Sequence, residues 1–327
     1  MKILVVGGAG YIGSHMVKRL QETKYQVEIL DNLSTGHELN TQNYKLYKYD
    51  LCNKEEVYQI LKENQYDCVM HFASSIDVQE SFLYPKKYYE NNVINTKNLL
   101  DCMVEAKIFK IIFSSSAAVY GEPKAKLLTE EHSINPINPY GETKAKVENM
   151  LKNYDKNHNL KFISLRYFNA CGAHIDGTIG EKHKPETHLI PLVLQTASGR
   201  KKKISIYGND YSTPDGTCVR DYIHVMDLVE AHLLALINLI KKNQSNTFNL
   251  GTKIGFSIKE IIEKAREITQ SNIPYDIEPR RKGDPPYLIA DNQKILDQLD
   301  WRPKYSSLEN IIQTAWDWEK KLFKLND

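Results

Sequence analysis

Short apolar segments alternate with amphipathic, helix-like segments through the first half of the 327-residue chain. Near-continuous apolar strands joined by crossover helices are typical of a parallel sheet buried on both faces. The strand-like segments are "KILVVG" from Lys2, "QVEILD" from Gln26, "YKLYKYD" from Tyr44, "DCVMHFA" from Asp67, "KIIFSSS" from Lys110 and "KFISLRYFN" from Lys161. The sequence therefore predicts an α/β fold with a doubly wound parallel sheet.

A glycine-rich segment, "GGAGYIG", follows the first strand directly and opens the first helix-like segment. Gly7, Gly10 and Gly13 have the spacing of a dinucleotide-binding turn, in which the backbone approaches a pyrophosphate at a helix N-terminus. Gly8, Gly10 and Gly13 satisfy the related G-x-G-x-x-G spacing as well. Asp31 ends the second strand, within the window of about 20 residues in which an acid binds the adenosine ribose. The alternative is a structural turn followed by a helix-capping aspartate.

The identity of the dinucleotide follows from charge. The carboxylate of Asp31 would repel a 2′-phosphate, and the following segment, "NLSTGH", offers no arginine to bind one. The pattern predicts NAD rather than NADP.

The residue pattern changes from about residue 172. A loop rich in Gly, His and Pro, "GAHIDGTIGEKHKPETHLIP", precedes shorter segments of mixed helix-like and strand-like pattern. The segment 219–250 again has a strand, helix and strand pattern, so it should return to the first sheet. We expect a Rossmann-type NAD-binding domain over 1–172, rejoined at about 219–250, and a smaller C-terminal α/β substrate-binding lobe over 173–327.

Four tyrosines are each followed by a lysine four residues on. A tyrosine acts as a base near neutral pH only if positive charge lowers its pKa, about 10 when unperturbed, and a lysine one helical turn away can supply that charge. The pairs are Tyr44 with Lys48, Tyr58 with Lys62, Tyr120 with Lys124, and Tyr140 with Lys144. The first is strand-like, the second lies on an early crossover helix, and the third contains a glycine and a proline.

The fourth pair has the surroundings of a reactive site. Tyr140 and Lys144 follow "NP" and open the helix-like segment "YGETKAKVENMLKNY". Upstream, the strand "KIIFSSS" ends in three serines at the predicted carboxyl edge of the sheet, where ligands bind in such folds. A serine from this edge can therefore converge with the tyrosine and the lysine over a nicotinamide ring.

Bulk properties argue against other classes of function. The 43 basic and 41 acidic residues leave a net charge of +2, too small to indicate a nucleic-acid partner. The five cysteines are not closely paired and the ten histidines show no short ligand spacing with them, so we expect reduced thiols and no metal. Without a stretch of about 20 apolar residues, we expect no membrane span and a cytoplasmic location.

The serine, tyrosine and lysine constellation, with the glycine loop, resembles the extended branch of the short-chain dehydrogenase/reductase superfamily. Within that branch the chain is most similar to the UDP-glucose 4-epimerases, also called UDP-galactose 4-epimerases. The similarity runs almost end to end, in the family's order, through "GGAGYIGSH", "LDNLSTG", "HFA", "YYENNV", "FSSSAAVYGEP", "NPYGETK", "LRYFNACGAH", "ETHLIP", "DGTCVRDYIHVMDL" and "PRRKGDPP".

The resemblance implies NAD-dependent interconversion of UDP-galactose and UDP-glucose through a transient 4-keto sugar. Tyr140 would take the proton of the sugar's 4-hydroxyl while hydride passes from C4 to NAD. Lys144 would hold the nicotinamide ribose and lower the pKa of the tyrosine, and Ser116 would hydrogen-bond the same hydroxyl. The resemblance also implies a homodimer, with "YYENNVINTKNLLDCMVEA" and the helix of Tyr140 at the interface.

Further site residues are carried over by the same resemblance. Besides the glycines, those implied for NAD are Tyr11, Ile12, Asp31, Asn32, Asp50, Leu51, Phe72, Ala73, Asn92, Lys144 and Phe168. Those implied for the UDP-sugar are Ser116, Tyr140, Asn169, His188, Leu189, Arg220, Arg281, Asp284 and Leu288. The arginine forks suit diphosphate oxygens. The structural alternatives are a buried ion pair at Arg220 and a loop cap at Asn169.

Two positions depart from the family pattern. Ile76 stands where some members carry a lysine near the cofactor phosphates. Leu288 aligns with a bulky tyrosine of some members restricted to glucose and galactose, although Tyr287 beside it leaves the register open. A smaller residue there could admit a 2-acetamido group, so UDP-GlcNAc and UDP-GalNAc are candidate substrates.

Two other interpretations compete with epimerisation. A nucleotide-sugar dehydratase on this scaffold needs an acid and a base after the active-site serine, where this chain has Ala117 and Ala118; a decarboxylase is less firmly excluded. A non-catalytic NAD-binding protein would be expected to lose the tyrosine or the lysine, and this chain has both.

Overall fold

A computed structural model describes residues 1–281 and 283–324 of the chain. Its strands are β1 (Lys2–Val6), β2 (Gln26–Leu30), β3 (Lys45–Tyr47), β4 (Cys68–His71), β5 (Lys110–Ser116), β6 (Lys161–Tyr167), β7 (Asn169–Cys171), β8 (Ile204–Tyr207), β9 (Val219–His224), β10 (Asn246–Leu250), β11 (Gly255–Ser257), β12 (Tyr275–Glu278) and β13 (Tyr287–Leu288).

Its α-helices are α1 (Tyr11–Gln21), α2 (Lys54–Asn64), α3 (Val78–Leu83), α4 (Pro85–Tyr89), α5 (Asn95–Glu105), α6 (Pro139–His158), α7 (Leu189–Ala197), α8 (Val225–Lys242), α9 (Ile258–Thr269), α10 (Gln293–Leu299) and α11 (Leu308–Phe323). Short 3-10 turns cover Glu38–Thr41 and Ala117–Val119, and a π-helical turn covers Glu90–Ile94.

The main sheet has seven parallel strands in the order β10-β6-β5-β4-β1-β2-β3. The six strand-like segments of the sequence coincide with β1 to β6, so the predicted Rossmann-type α/β fold is confirmed. Because all seven strands are parallel, their carboxyl ends meet at one edge of the sheet. That edge collects the glycine loop, the serines of β5 and the start of α6.

The two faces of the main sheet bury separate apolar clusters, because alternate side chains of a strand point to opposite faces. Ile3 and Val5 of β1 pack in one cluster with α1 and α8. Leu4 and Val6 pack in the other with α2, α5 and α6. Helices cover both faces, which explains why the central strands are apolar throughout.

A third apolar cluster lies outside the main sheet and joins α7, α9 and α11. It packs beside a smaller sheet of β7, β9, β11 and β13, with β8 and β12 paired separately. Within the predicted return at 219–250, α8 packs on β5 and β6 and β10 joins the main sheet, but β9 lies in the smaller sheet. The division into 1–172 and 173–327 stays a prediction, and residues 282 and 325–327 of the second lobe lie outside the described residues.

None of the helices in residues 1–281 and 283–324 is long and apolar enough to cross a membrane.

Candidate active site

The turn after β1 requires glycine at two positions. Gly7 has a φ of +80°, and a Cβ added there would lie 2.4 Å from the backbone nitrogen of Ala73. A Cβ on Gly13 would lie 2.1 Å from the carbonyl oxygen of Gly7. A Cβ on Gly10 would make only an ordinary contact, at 3.4 Å from the same oxygen. Gly7 and Gly13 thus shape the turn, while Gly10 leaves its outer surface open.

Helix α1 begins at this turn with its first-turn N–H groups uncapped. The N-cap residue is Gly10, which has no side chain to cap the helix, and no acidic residue lies in the first turn of α1. Tyr11 and Ile12, the first two residues of α1, present their backbone there. An uncapped N-terminus at a glycine turn is a binding site for a phosphate group. The turn therefore fits the pyrophosphate of NAD.

Asp31 lies directly after β2 and is tied to the glycine turn. One carboxylate oxygen accepts a hydrogen bond from the N–H of Ala9 at 2.9 Å, and the other from the N–H of Leu33 at 2.8 Å. Burial raises the pKa of Asp31, and these two hydrogen bonds oppose the shift. Each oxygen retains a lone pair for a ribose hydroxyl. The side chain thus organises the turn, as the structural alternative expected, and still fits the ribose.

Asn32 and Asp50 meet at the ends of β2 and β3. The Asn32 amide donates to the Asp50 carboxylate at 2.5 Å, while the other oxygen of Asp50 accepts from the amide of Asn95 at 3.1 Å. Leu51 is buried in the apolar cluster beneath. These residues form one wall beside the glycine turn.

Phe72 and Ala73 follow β4 on the other side of the turn, and both backbone N–H groups donate to the carbonyl of Val6, at 2.8 and 3.2 Å. Phe168 is buried and its N–H donates to Leu250 at the end of β10. All three lie at the carboxyl edge of the main sheet.

The amide of Asn92 is already engaged by the protein. It lies in the π-helical turn, accepts from the N–H of Ser75 at 2.8 Å and donates to the hydroxyl of Thr143 at 3.1 Å. Asn92 therefore ties the loop after β4 to α6. Ile76, at the position where some members carry a lysine, lies in this loop and is exposed.

The start of α6 is set by local signals. The side chain of Asn138 accepts from the N–H of Gly141 at 2.7 Å, and Pro139 is the first helical residue. A Cβ on Gly141 would lie 2.4 Å from the carbonyl oxygen of Ala118, so the helix packs closely on the 3-10 turn after β5. This contact places Tyr140 beside Ser116.

Lys144 lies one turn further along α6 and is buried. Its ammonium group donates to the carbonyl of Ser114 at 2.9 Å and lies 5.8 Å from the ring centroid of Tyr140. The Ser116 hydroxyl accepts from the N–H of Ala118 at 3.2 Å. The structure thus brings together Ser116, Tyr140 and Lys144.

Burial dominates the pKa values of both Tyr140 and Lys144. Burial raises the pKa of Tyr140, and a hydrogen bond with Ser116 opposes the rise. Burial lowers the pKa of Lys144 to about 7, against the charge of Glu148. The amine of Lys144 is itself desolvated and donates to the Ser114 carbonyl, and its lowering of the tyrosine's pKa stays a prediction.

The other three tyrosine and lysine pairs are arranged differently. Tyr44 and Lys48 flank β3 on opposite sides. Tyr58 and Lys62 share a face of α2, with the ammonium 5.4 Å from the ring centroid, but this helix carries no predicted site residue. The hydroxyl of Tyr120 is engaged by Asn249 and Arg166. Only the fourth pair lies beside the serines of β5.

A buried hydrogen-bond network under the site was not predicted from the sequence. Arg166 of β6 holds Glu148 of α6 through two hydrogen bonds, of 2.9 and 2.6 Å, and Glu148 accepts from the hydroxyl of Ser115 at 2.6 Å. Glu148 lies one turn beyond Lys144 on the same face of the helix. That i+4 spacing was visible in the sequence, but its partner on β6 was not.

The predicted diphosphate residues lie on the smaller sheet and the loop before β13. Arg220 of β9 forms an ion pair with Asp284 and donates to the carbonyl of Val219 at 2.8 Å. The guanidinium of Arg281 lies 3.8 Å from the ring centroid of Tyr207. The ion pair that the structural alternative proposed is therefore present at Arg220. Together with the bond to Val219, it engages two of the five N–H donors of the guanidinium.

Asn169 begins β7 and donates to the carbonyl of Asp221 at 2.8 Å, as the alternative of a structural role expected. His188 caps α7, and Leu189 is its first residue. His188 is the last residue of the loop 172–188, and its imidazole hydrogen-bonds Glu181 in the same loop.

Leu288 and Tyr287, the two residues of β13, have different neighbours. Leu288 contacts the apolar cluster that contains Ala117 and Phe168. The ring of Tyr287 instead lies 5.7 Å from the ammonium of Lys126. The assignment of Leu288 to the sugar end stays a prediction.

Three comparisons relate this site to known proteins. Residues 3–251 match the NAD dependent epimerase/dehydratase family. The UDP-glucose 4-epimerase of Halalkalibacterium halodurans is 49% identical over 98% of this chain and 96% of its own. The structure of UDP-glucose 4-epimerase from Brucella ovis in complex with NAD is 45% identical, covers 96% of this chain and 97% of its own, and superposes with a TM-score of 0.94.

The UDP-Glc/GlcNAc 4-epimerase of Campylobacter jejuni is 42% identical, covers 98% of this chain and 99% of its own, and has a TM-score of 0.86. Identity at this level over nearly the whole length shows the family as well as the fold. The chain belongs to the NAD dependent epimerase/dehydratase family, among the UDP-glucose 4-epimerases.

Proposed function

We propose that the chain is an NAD-dependent 4-epimerase of UDP-hexoses that converts UDP-galactose to UDP-glucose through a transient 4-keto sugar. The observation that carries the proposal is the convergence of Ser116, Tyr140 and Lys144 at the carboxyl edge of the main sheet, beside a glycine turn suited to NAD. The family membership supports it.

The three polar side chains divide the work of proton transfer. The Tyr140 side chain acts as the phenolate: its oxygen receives the proton of the sugar's 4-hydroxyl and, as the resulting hydroxyl, later returns that proton to the 4-keto oxygen, as general base and then acid. The Ser116 hydroxyl hydrogen-bonds the same oxygen and orients it. Lys144 uses one N–H on the Ser114 carbonyl, which leaves two for the nicotinamide ribose.

Bound NAD supplies the hydride acceptor and then the donor at C4, so the net reaction is an isomerisation. The residues that would hold it are the glycine turn, Tyr11 and Ile12 at the pyrophosphate, Asp31 and Asn32 at the adenosine ribose, and Phe72, Ala73, Asn92 and Phe168 around the remainder. Asp50 and Leu51 support the wall beside the adenosine.

The nucleotide and the sugar are bound differently. Arg220 and Arg281 supply guanidinium donors for the diphosphate, Asp284 orients Arg220, and Asn169, His188 and Leu189 border the nucleotide. At the sugar end, Leu288 and Ala117 are apolar. A firm hold on UDP with weak contacts to the hexose lets the 4-keto sugar turn without escaping.

A division of labour between domains follows. We infer that residues 1–172, with the segment that rejoins them at about 219–250, bind NAD, and that the remainder of 173–327 binds the UDP-sugar.

Dehydration is disfavoured because Ala117 and Ala118, in the 3-10 turn after Ser116, carry neither an acid nor a base.

Location and assembly are further proposals. All five cysteines are free thiols, four of them buried, which suits the reducing cytoplasm.

Exposed apolar side chains cluster around α3, α4 and the π-helical turn, at Phe82, Leu83, Tyr84, Tyr89 and Ile94. Such a patch marks an interaction surface. It adjoins α5 and α6, which we infer to form a homodimer interface.

The activity is tested by incubating the purified chain with UDP-galactose and no added NAD. We expect conversion to UDP-glucose by chromatography, because NAD regenerated in each cycle can remain bound through purification. Absence of conversion, even after NAD is added, would contradict the proposal.

Two matched variants test the assignment of the base. Tyr140→Phe should bind UDP by calorimetry and lose about 10²- to 10⁴-fold in kcat, since proton transfer is removed. Tyr58→Phe, in the pair on α2, should keep wild-type turnover. Full activity of Tyr140→Phe would show that another group is the base.

Substrate range is tested at Leu288. If this side chain borders the hexose, the wild type should epimerise UDP-GalNAc, and Leu288→Tyr should lower kcat/KM for UDP-GalNAc at least about tenfold more than for UDP-galactose. Leu288→Met, of similar volume, should preserve the ratio. No turnover of UDP-GalNAc by the wild type would remove the proposal of a second substrate.

Assembly is tested with two leucines of equal exposure. Leu83 and Leu39 are each 72% exposed, but only Leu83 lies in the proposed interface. By sedimentation equilibrium, wild type and Leu39→Glu should have twice the mass of one chain, and Leu83→Glu should dissociate. A monomeric wild type would contradict the proposal.

A further inference from the structure

Four potential metal ligands converge in the loop between β7 and α7, in the segment "EKHKPETH". Glu181, His183, Glu186 and His188 each offer one ligand atom, and these atoms all lie within 4.8 Å of one another. The proposed epimerisation uses His188 alone, and then only at the border of the nucleotide. The other three side chains have no part in that chemistry.

The four ligand atoms are close enough to converge on one ion. Nδ1 of His183 lies 3.2 Å from an oxygen of Glu181, and Nδ1 of His188 contacts the same oxygen. Each of these nitrogens also lies 3.8 Å from an oxygen of Glu186. In a tetrahedral site with bonds of about 2.0–2.1 Å, the ligand atoms are about 3.3 Å apart.

The nitrogen of His183 provides a second, independent sign of a ligand. Nδ1 is buried and makes no hydrogen bond, although two carboxylates lie within 4 Å of it. A buried polar atom without a hydrogen bond is costly unless another partner satisfies it. An ion held between His183, Glu181 and Glu186 would satisfy this nitrogen.

The two carboxylates create a demand for positive charge. The side chains of Glu181 and Glu186 are 5% and 7% exposed, and such buried carboxylates need a compensating cation. A metal ion bound between them would supply that positive charge.

Further hydrogen bonds fix the carboxylate of Glu186 and the backbone of Glu181. One oxygen of Glu186 accepts from the N–H groups of Thr187 and His188, at 2.9 and 3.0 Å. The backbone carbonyl of Glu181 accepts from the indole N–H of Trp318 at 2.9 Å. Hydrogen bonds of this kind orient metal ligands and are part of a metal site.

The donor set selects the kind of metal. Two imidazole nitrogens with two carboxylate oxygens suit Zn²⁺, whereas Mg²⁺ and Ca²⁺ take oxygen ligands. Four protein ligands leave no open position for a water or substrate, which is typical of a structural rather than a catalytic site.

We propose that Glu181, His183, Glu186 and His188 bind one structural Zn²⁺ ion that fixes the loop between β7 and α7. The loop begins at Gly172, whose carbonyl accepts from the hydroxyl of Tyr11 at 2.6 Å, and it contacts His37 through the carbonyl of Lys182 at 2.8 Å. It ends at the first residue of α7. The ion therefore holds the cofactor turn and the helix at the nucleotide in a fixed relation. The expectation of no metal considered only spacings between cysteine and histidine.

The test measures metal content, without substrate and independently of the epimerase reaction. Tag-free protein is stripped with a chelator, incubated with zinc, passed over a desalting column and measured by mass spectrometry of the metal. We expect about one Zn²⁺ per chain in the wild type and in His158→Ala, whose histidine is exposed on α6. His183→Ala and Glu181→Gln should retain little zinc.

Thermal unfolding gives a second readout. Zinc should raise the Tm of the stripped wild type and of His158→Ala by several degrees, since an ion that binds only the folded state stabilises it. It should leave the Tm of His183→Ala unchanged, with circular dichroism confirming that this variant is folded. Zinc at blank level in the wild type would overturn the proposal. Equal zinc content in the wild type and both ligand variants would also overturn it, because the ion would then lie elsewhere.

Discussion

The buried ammonium group of Lys144 is the contact on which the geometry of the site depends. It joins α6 to the carbonyl of Ser114 at the end of β5, so the helix that carries Tyr140 is docked on the strand that carries Ser116. Glu148, one turn further on, is held by Arg166 and adds the negative charge that a buried lysine requires. Breaking such a buried pair costs about 3–5 kcal/mol, so the network and the catalytic geometry are expected to persist or fail together.

The parts of the site that the sequence predicted are those with local signals. The glycine turn, Asp31 and the start of α6 at Asn138 each depend on a few neighbouring residues, and each lies where it was expected. Contacts between distant segments could not be read in the same way. The pairing of Arg166 with Glu148 requires knowing that β6 passes beneath α6, and the position of β9 in the smaller sheet depends on its partners rather than on its own pattern.

Two features show why residue types alone were insufficient. The Tyr140 and Lys144 pair was identified from its spacing and its surroundings in the sequence, but the direction of the tyrosine's pKa shift depends on burial, which the sequence does not reveal. The spacing of Glu181, His183, Glu186 and His188 was visible within eight residues. Their convergence became evident only once the loop folded back on itself and brought the four ligand atoms together.

In the proposed reaction, the hydrogen removed from C4 of the sugar returns to C4 of the same molecule. The most direct measurement uses UDP-galactose with deuterium at C4, and mass spectrometry and NMR of the UDP-glucose formed. We expect the deuterium to remain at C4 of the product, because Ser116, Tyr140 and Lys144 exchange only the hydroxyl proton. Loss of the label to solvent during turnover would contradict the account.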